Sequence, residues 1–278
     1  MNQGSTNSDW VKLEGPLKQA DIRALKAHGH IEKLSVTDSP LLTAKTTHAF
    51  TSLPSVSWLW LWCDVTRTAM RNVIRIHGLK VLDVLSITAP GRLEGFATAT
   101  SLETFRGNHY LTEEDLLEVS TCKSLRQIGA QNAALSLRAL MALLALPHLE
   151  TLDLEATVFD DAMAKRVSAS KQLRSLDIGA TKLSRRGLMY ICKMKQLRSL
   201  DLWATRIQEE DIELLSQLPN LEYVSIGETE GNTKFNAESL LPRLAAIRSL
   251  QRVWLDGVAI SPGQKAKLES RFSTVRLT

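Results

Sequence analysis

Three segments in the C-terminal half of the chain are near copies of one another, and they begin 24 residues apart. They are LETLDLEATVF (149–159), LRSLDIGATKL (173–183) and LRSLDLWATRI (197–207). A period of this length indicates a supersecondary unit that cannot bury its apolar face alone, so neighbouring copies must stack on one another. The chain is therefore constrained to fold as an array of repeats.

The same frame extends along the chain in both directions. LEYVSIGET (221–229) follows after 24 residues and LQRVWLDGV (250–258) after 29, and we place the excess in a surface loop at 227–235. The region 31–278 is predicted to hold about ten repeats, with a last strand or cap at 273–278 and a tail and capping helix at 1–30. The earlier repeats begin at IEKLSVTDS (31–39), VSWLWLWCD (56–64), LKVLDVLSI (79–87), LETFRGNHY (102–110) and LRQIGAQNA (125–133).

Within one repeat, the apolar positions alternate and then change to a helical spacing. Leu197, Leu200 and Leu202 are predicted to point inward from a short strand, whereas Ile212 and Leu215 fit a short helix on the opposite wall. Thr112 and Ser261 precede segments that read as helix starts, so they are predicted to be N-caps.

This unit resembles the LxxLxLxxN half of the leucine-rich repeat, in its bacterial type of 23–24 residues, over residues 31–278. The resemblance implies an α/β solenoid, a horseshoe with a parallel sheet on its concave face and short helices on its convex face. The ninth position departs from the family pattern, because threonine replaces asparagine. A threonine hydroxyl is still expected to bond the backbone of a neighbouring turn. The residues concerned are Thr157, Thr181, Thr205 and Thr229.

Composition narrows the choice of function class. The 34 basic and 30 acidic residues leave a net charge of +4, which is too small to indicate a nucleic-acid or membrane partner, and no apolar run approaches the roughly 20 residues of a membrane helix. The polar N-terminus predicts a cytoplasmic protein, with export lacking a cleavable signal as the alternative. Cys63, Cys122 and Cys192 lack zinc-ligand spacing and are interpreted as reduced packing residues.

Five of the six tryptophans fall at outward positions of predicted strands. Trp203 has a register fixed by matching neighbours, and Trp254 lies in the last full repeat. Because exposed tryptophan is enriched at binding hot spots, these positions are candidate partner contacts. Trp58, Trp60 and Trp62 share one strand; they are interpreted as a third contact, as a surface packed under the segment holding Trp10, or as inward-facing after a one-residue slip.

Acidic residues form a second outward column. Asp153, Asp177 and Asp201 occupy the fifth position of three successive repeats, with Glu155 and Asp256 at the seventh position of their own. Like charges on adjacent strands repel, so this column favours a basic ligand, although an acidic residue here is also common in the family whatever it binds.

The positive charges fall mainly in the variable halves of the repeats, on predicted helices and loops. A solvated face is the favoured interpretation, with an acidic partner or nucleic acid as the alternative. These residues are Lys165, Arg166, Lys171, Lys182, Arg185, Arg186, Lys193 and Lys195.

The sequence contains no phosphate loop, nucleophile elbow or metalloprotease motif, so no catalytic residue, metal ligand or cofactor is predicted. The predicted function is a non-catalytic scaffold that holds a basic protein on its concave face, as an inhibitor or immunity protein. An exported effector acting on a host protein is the alternative, and an enzyme is a third. The predicted contacts are Trp58, Trp60, Trp62, Asp153, Glu155, Asp177, Asp201, Trp203, Tyr223, Trp254 and Asp256.

Overall fold

The computed structural model describes residues 10–228 and 235–277. The chain divides into two compact units, Met1–Ile128 (unit 1) and Gly129–Thr278 (unit 2). Within the described residues, no helix has both the length and the apolar character needed to span a bilayer. Residues 229–234 of the predicted surface loop, including Thr229, lie outside the described residues.

Unit 1 is built on parallel strands that pair in chain order. β1 falls within the predicted N-terminal tail, so this region contributes a strand as well as a helix. A further strand, β6 (Gln127–Gly129), spans the boundary between the units in sequence. The strands of unit 1 are β1 (Trp10–Glu14), β2 (His30–Thr37), β3 (Ser55–Thr66), β4 (Val81–Thr88) and β5 (Thr104–Gly107).

Short helices connect these strands, as the change of apolar spacing predicts. The predicted N-cap is confirmed, because the Thr112 side chain accepts a hydrogen bond from Asp115 N and Asp115 bonds back to Thr112 N. The helices are α1 (Gln19–Leu25), α2 (Ala44–Thr47), α3 (Arg67–Val73) and α4 (Glu113–Val119), with 3₁₀ turns at Lys26–His28, His48–Ser52 and Phe96–Thr98.

Unit 2 repeats the same strand-and-helix alternation, again with parallel strands that pair in chain order. Ser261 is confirmed as an N-cap, and the predicted terminal strand is present. The strands are β7 (Thr151–Asp153), β8 (Ser175–Asp177), β9 (Ser199–Asp201), β10 (Tyr223–Gly227), β11 (Arg252–Asp256) and β12 (Thr274–Leu277). The helices are α5 (Leu137–Leu144), α6 (Asp161–Val167), α7 (Arg185–Ile191), α8 (Ala237–Ala245) and α9 (Pro262–Arg271), with a 3₁₀ helix at Glu209–Gln217.

The inward positions form the core, as their alternation predicts. Leu197, Leu200 and Leu202 are each at most 1% exposed, and the same positions of the neighbouring repeats are buried too. Burying one such leucine stabilises the fold by about 1.5–3 kcal/mol. The inward face therefore fixes the register, and it leaves the third, fifth and seventh positions of each strand for the outer surface.

The turns after β7, β8 and β9 join neighbouring repeats through the backbone. Ala156, Ala180 and Ala204 have φ angles of 56°, 51° and 50°, in the left-handed region. Their N–H groups donate to carbonyls of the next repeat, Gly179 and Trp203 among them, at 2.6–3.0 Å. Each turn therefore accepts local backbone strain and gains an inter-repeat hydrogen bond.

The threonines of these turns act differently from the prediction. The hydroxyls of Thr157 and Thr181 donate to the carbonyl three residues earlier, at 2.7 and 2.6 Å, and Thr205 makes the same bond at 2.8 Å. The expectation that these hydroxyls bond a neighbouring turn is wrong for Thr157 and Thr181. Each of these hydroxyls instead closes its own turn, a local side-chain-to-backbone bond that threonine commonly forms.

Candidate functional site

The acidic column lies in register on three adjacent strands of unit 2. Asp153 pairs with Asp177, and Asp177 pairs with Asp201, each as the last residue of its strand. The next residue in the row is Ser225 on β10, followed by Trp254 on β11. Parallel strands lie about 4.8 Å apart, so these three carboxylates stand side by side.

Backbone hydrogen bonds fix the orientation of each carboxylate. Oδ1 of Asp153 accepts from Glu155 N at 3.0 Å, Oδ1 of Asp177 from Gly179 N at 3.0 Å, and Oδ1 of Asp201 from the N–H of Trp203 at 2.8 Å. An aspartate that bonds the backbone two residues on forms a local turn. The repeated aspartate therefore has a structural role at the end of each strand.

A glycine opens space between two of these carboxylates. A Cβ placed on Gly179 would lie 3.3 Å from Oδ1 of Asp177, 3.3 Å from Oδ1 of Asp201 and 3.4 Å from the carbonyl oxygen of Trp203. These contacts are tighter than most contacts of a real Cβ, so any larger residue would crowd the aspartates. Gly179 thus keeps the surface between the second and third carboxylates open.

Crowding and burial make these acids hard to ionise. Burial raises the pKa of Asp177 to about 8, and repulsion from Asp201, Asp153 and Glu155 adds to the effect. Burial likewise raises the pKa of Asp201, against hydrogen bonds from Trp203 and Ser225. The pKa of Glu155 is raised by burial and then by Asp153 and Asp201. A cation placed here would remove the repulsion and lower each pKa.

Aromatic residues border the acidic column. Trp203 follows Asp201, and its buried indole Nε1 has no hydrogen-bond partner within the described residues. The Arg276 guanidinium lies over the Trp254 ring, 4.9 Å from its centroid, and the Arg252 guanidinium lies 5.4 Å from the centroid of the Tyr223 ring. Burial and the nearby Asp201 raise the pKa of Tyr223. The edge of the column therefore already binds cations to its rings.

These residues enclose a cleft of about 380 Å³, called the acidic cleft below. It brings together six of the predicted contacts, while Asp153 adjoins it by accepting a hydrogen bond from Gln131 at 2.9 Å. Gln131 and Ser225 were missed, although they occupy the same outward seventh and fifth positions of their repeats. The lining residues are Gln131, Glu155, Asp177, Asp201, Trp203, Ser225, Trp254 and Asp256.

The carboxylates at one side of the cleft are also close enough to share a cation. One oxygen each from Asp153, Glu155 and Asp177 lies within 4.8 Å of the other two. Carboxylate oxygens suit a hard divalent cation, and they suit an ammonium or guanidinium group equally well. No metal ligands were predicted from the sequence, because this arrangement exists only when two neighbouring repeats stack.

The tryptophan cluster belongs to unit 1, and its register matches the prediction. Val56, Leu59 and Leu61 are buried, so Trp58, Trp60 and Trp62 point outward and no one-residue slip occurs. Trp10 of β1 packs on Trp58 at 5.2 Å and on Trp60 at 5.8 Å between ring centroids. Trp58 and Trp60 therefore pack against the N-terminal segment, as one of the three interpretations predicted. Trp62 is 48% exposed.

Unit 1 also has an aspartate at the fifth position, but its charge is matched. Oδ2 of Asp83 accepts from Trp58 Nε1 at 2.7 Å, and Oδ1 pairs with the Arg106 guanidinium at 2.7 Å. Arg106 in turn donates to Gln127 at 3.3 Å. The charge of Asp83 is therefore matched within unit 1, whereas neither Asp177 nor Asp201 has a cationic partner among the described residues.

The three cysteines are buried, in agreement with a packing role. Burial raises the pKa of the Cys63 and Cys192 thiols to about 12, and it raises the pKa of Cys122 as well. A thiol with so high a pKa is protonated at neutral pH and is a poor nucleophile.

Comparison with known proteins supports the repeat fold. No family model and no curated protein matches the sequence. Among solved structures, an internalin (inlF) from Listeria monocytogenes is 13% identical with a TM-score of 0.52, over 94% of this chain and 84% of that one. The TLR13–ssRNA13 complex gives 14% identity and a TM-score of 0.51, over 97% of this chain but only 43% of the other.

Both of these structures are leucine-rich-repeat proteins, and their likeness extends over nearly the whole chain. Together with the parallel strands, the short helices and the buried leucine positions, it shows that the chain has the leucine-rich-repeat α/β fold. The predicted fold class is confirmed.

Proposed function

We propose that the chain is a non-catalytic binding scaffold, and that the strand face of unit 2 holds a protein with a basic surface. Leucine-rich-repeat neighbours support a protein-binding role in general. The acidic cleft supports the basic character of the partner. A lysine or arginine side chain would enter between the carboxylates, with Trp203 and Trp254 as its aromatic borders.

One observation carries the proposal. Asp177 and Asp201 stand side by side, and within the described residues neither forms an ion pair with a lysine or an arginine. Such a pair is costly to ionise in the free protein. A partner cation would relieve that cost, so part of the binding free energy would come from removing repulsion that already exists.

The test is affinity capture with matched baits. The variant Trp203→Ala with Asp177→Lys removes one aromatic border and inverts one charge of the acidic cleft. We expect wild type to recover a protein of high isoelectric point and this variant to lose at least about 10-fold of it. Met189→Ala with Glu210→Lys makes equivalent changes at exposed helix-side positions of unit 2 and serves as the control.

Equal recovery by all three baits would exclude the acidic cleft as the binding site. Once a partner is in hand, calorimetry in two buffers of different ionisation enthalpy adds a second readout. Because a bound cation lowers the raised pKa of Asp177, binding near pH 7 is expected to release protons. No proton release would show that the cation does not reach this carboxylate.

The proposed biological role is that of an inhibitor or immunity protein that masks a basic toxin or nuclease inside the producing cell. The alternative is an exported effector that engages a host protein. The gene neighbourhood and a translocation assay separate them, since a toxin gene next door favours the first and delivery into host cells favours the second.

Nucleic acid is a second candidate ligand, and one observation favours it. One of the similar structures is a complex with single-stranded RNA, although its protein shares only 14% identity with this chain. A strand face lined by carboxylates repels phosphates, so we keep protein as the proposal for this face. Capture of RNA that is lost in the Asp177→Lys variant would contradict it.

A further inference from the structure

The helix side of unit 2 holds a second cleft of opposite charge. It encloses about 660 Å³ and is lined by α6, by α7 and by the loops that follow β8 and β9. We call it the basic cleft. Its cationic residues are Lys165, Arg166, Lys182, Arg186 and Arg206.

The repeat spacing explains why these charges converge. Lys182 and Arg206 are 24 residues apart, at the same position of consecutive repeats, so stacking places them side by side. Arg186 lies on α7, in the same repeat as Lys182. Arg166 lies on α6, in the repeat before it. The sequence scatters these residues over 42 positions, and the fold gathers them on one surface.

Within residues 10–228 and 235–277, none of these five side chains forms an ion pair or a hydrogen bond. Other cations of unit 2 do: Arg185 pairs with Asp211, and Arg198 with Glu222. Arg185 directly precedes Arg186 in sequence, so the difference is local. The basic cleft is therefore a surface on which unmatched positive charge is concentrated.

The two acids of the cleft are already engaged. Oδ1 of Asp160 accepts from Met163 N at 3.0 Å and caps α6. Asp161 accepts from Ser184 N at 2.9 Å and from Ser184 Oγ at 2.6 Å, which ties two repeats together. These hydrogen bonds hold the helices in place. Within the described residues, neither carboxylate forms an ion pair with a cation of the cleft. Five cations against two carboxylates leave a surplus of three positive charges.

We propose that the basic cleft binds a small molecule that carries two adjacent phosphate groups. Each phosphate carries about −1.5 to −2 charges near neutral pH, so a diphosphate matches the surplus of three. Three of the five cations are arginines, whose planar guanidinium groups bind phosphate oxygens in pairs. Tyr190 supplies a hydroxyl donor at the same cleft, and the volume lies within the roughly 300–1,000 Å³ usual for small-molecule sites.

The probe is inorganic pyrophosphate, titrated into the full chain by calorimetry with EDTA present so that no metal complex forms. We expect a dissociation constant below about 1 mM for the wild type at low salt. Arg166→Gln with Arg186→Gln is expected to weaken binding at least about 10-fold, because each substitution removes a bidentate phosphate contact.

Lys171→Gln with Arg174→Gln provides the matched control, since it removes two exposed charges of unit 2 that do not line the cleft. It is expected to change the dissociation constant by less than about 2-fold, because charges outside the cleft are screened. All four positions are exposed, so folding, checked by circular dichroism, should be unaffected.

Three results would overturn the proposal: no heat of binding up to about 1 mM, equal weakening in both double variants, or tighter binding of a single-stranded oligonucleotide or poly-glutamate than of pyrophosphate. The third would assign the basic cleft to a polymer. The proposal is independent of the partner proposed for the acidic cleft, because none of its residues lies on that surface.

Discussion

The two units carry the same outward aspartate and treat its charge in opposite ways. In unit 1, Asp83 is held between Trp58 Nε1 and the Arg106 guanidinium. In unit 2, Asp177 has only another aspartate on either side of it in the strand row. The Asp83 carboxylate thus stabilises unit 1 through its own contacts, whereas Asp177 of unit 2 remains next to other carboxylates that repel it. Identical repeat positions can therefore hold a matched charge in one unit and an unmatched charge in the other.

The largest expected effect concerns matched charge in unit 1. Arg67 pairs with Asp115 at 2.7 Å, with side chains 10% and 3% exposed, and it also donates to the Tyr110 carbonyl. Arg67→Met leaves a buried carboxylate without its counter-charge, and is expected to lower the free energy of unfolding by about 3–5 kcal/mol in urea denaturation.

Arg71→Met is the control for this prediction, because the Arg71–Glu94 pair is more than half exposed on both sides. Its expected loss is below about 1 kcal/mol. A similar loss of unfolding free energy in the two variants would show that burial does not determine how much an ion pair stabilises unit 1.

The next largest effect is a stabilisation in unit 2. Asp177→Asn keeps an oxygen for the Gly179 N–H and removes the repelling charge, so it is expected to stabilise the protein by about 2 kcal/mol at pH 8. Asp83→Asn, the same change in unit 1, removes the partner of Arg106 and is expected to destabilise by about 1 kcal/mol. The same sign in both variants would remove the contrast between the units.

The effect of Asp177 must also depend on pH. Its pKa is about 8 in the folded chain and about 4 when unfolded, so the folded state binds more protons in between. The Asp177 contribution to stability is therefore present below about pH 4 and is lost as pH rises through about 8. We expect the advantage of Asp177→Asn to grow over this range, measured from urea midpoints at pH 5 and pH 8.

A smaller effect compares two indole N–H groups. Trp58→Phe removes a donor bonded to a carboxylate, whereas Trp203→Phe removes one that has no partner among the described residues. Both substitutions remove ring area, so the difference between their losses of stability reports the contribution of the hydrogen bond. Trp58→Phe is expected to cost about 1 kcal/mol more in thermal or urea unfolding. A larger loss for Trp203→Phe would indicate that its Nε1 is satisfied in solution.

The smallest expected effect concerns the turns of unit 2. Ala180 has a φ of 51° and donates to the Trp203 carbonyl at 2.6 Å. Glycine adopts this conformation without steric strain but loses more entropy on folding, so Ala180→Gly is expected to stabilise by about 0.5 kcal/mol. Ala164→Gly, in the buried face of helix α6, should instead destabilise. A loss at both positions would mean that the turns are unstrained.

Much of the fold could be predicted because the repeat period and the alternation of leucines act locally. Residues such as Leu200 alternate to the inward side of their own strand, and stacking of the neighbouring repeats then buries them. The column of Asp153, Asp177 and Asp201 followed from the same counting. Gln131 and Ser225 could have been added by applying that counting to every repeat. The packing of Trp10 on Trp58 could not be fixed, because it joins a segment outside the repeat frame to a strand.

By itself, the sequence determined the period, the inward face and the residue types available at each outward position, since side-chain alternation is a property of a single strand. Only the tertiary structure decided how deeply each charge is buried and which atoms pair. Asp83 pairs with Arg106, whereas Asp177 lies beside Asp201 and has no cationic partner among the described residues. Electrostatic energy depends on distance and burial in space, which no spacing in the sequence specifies.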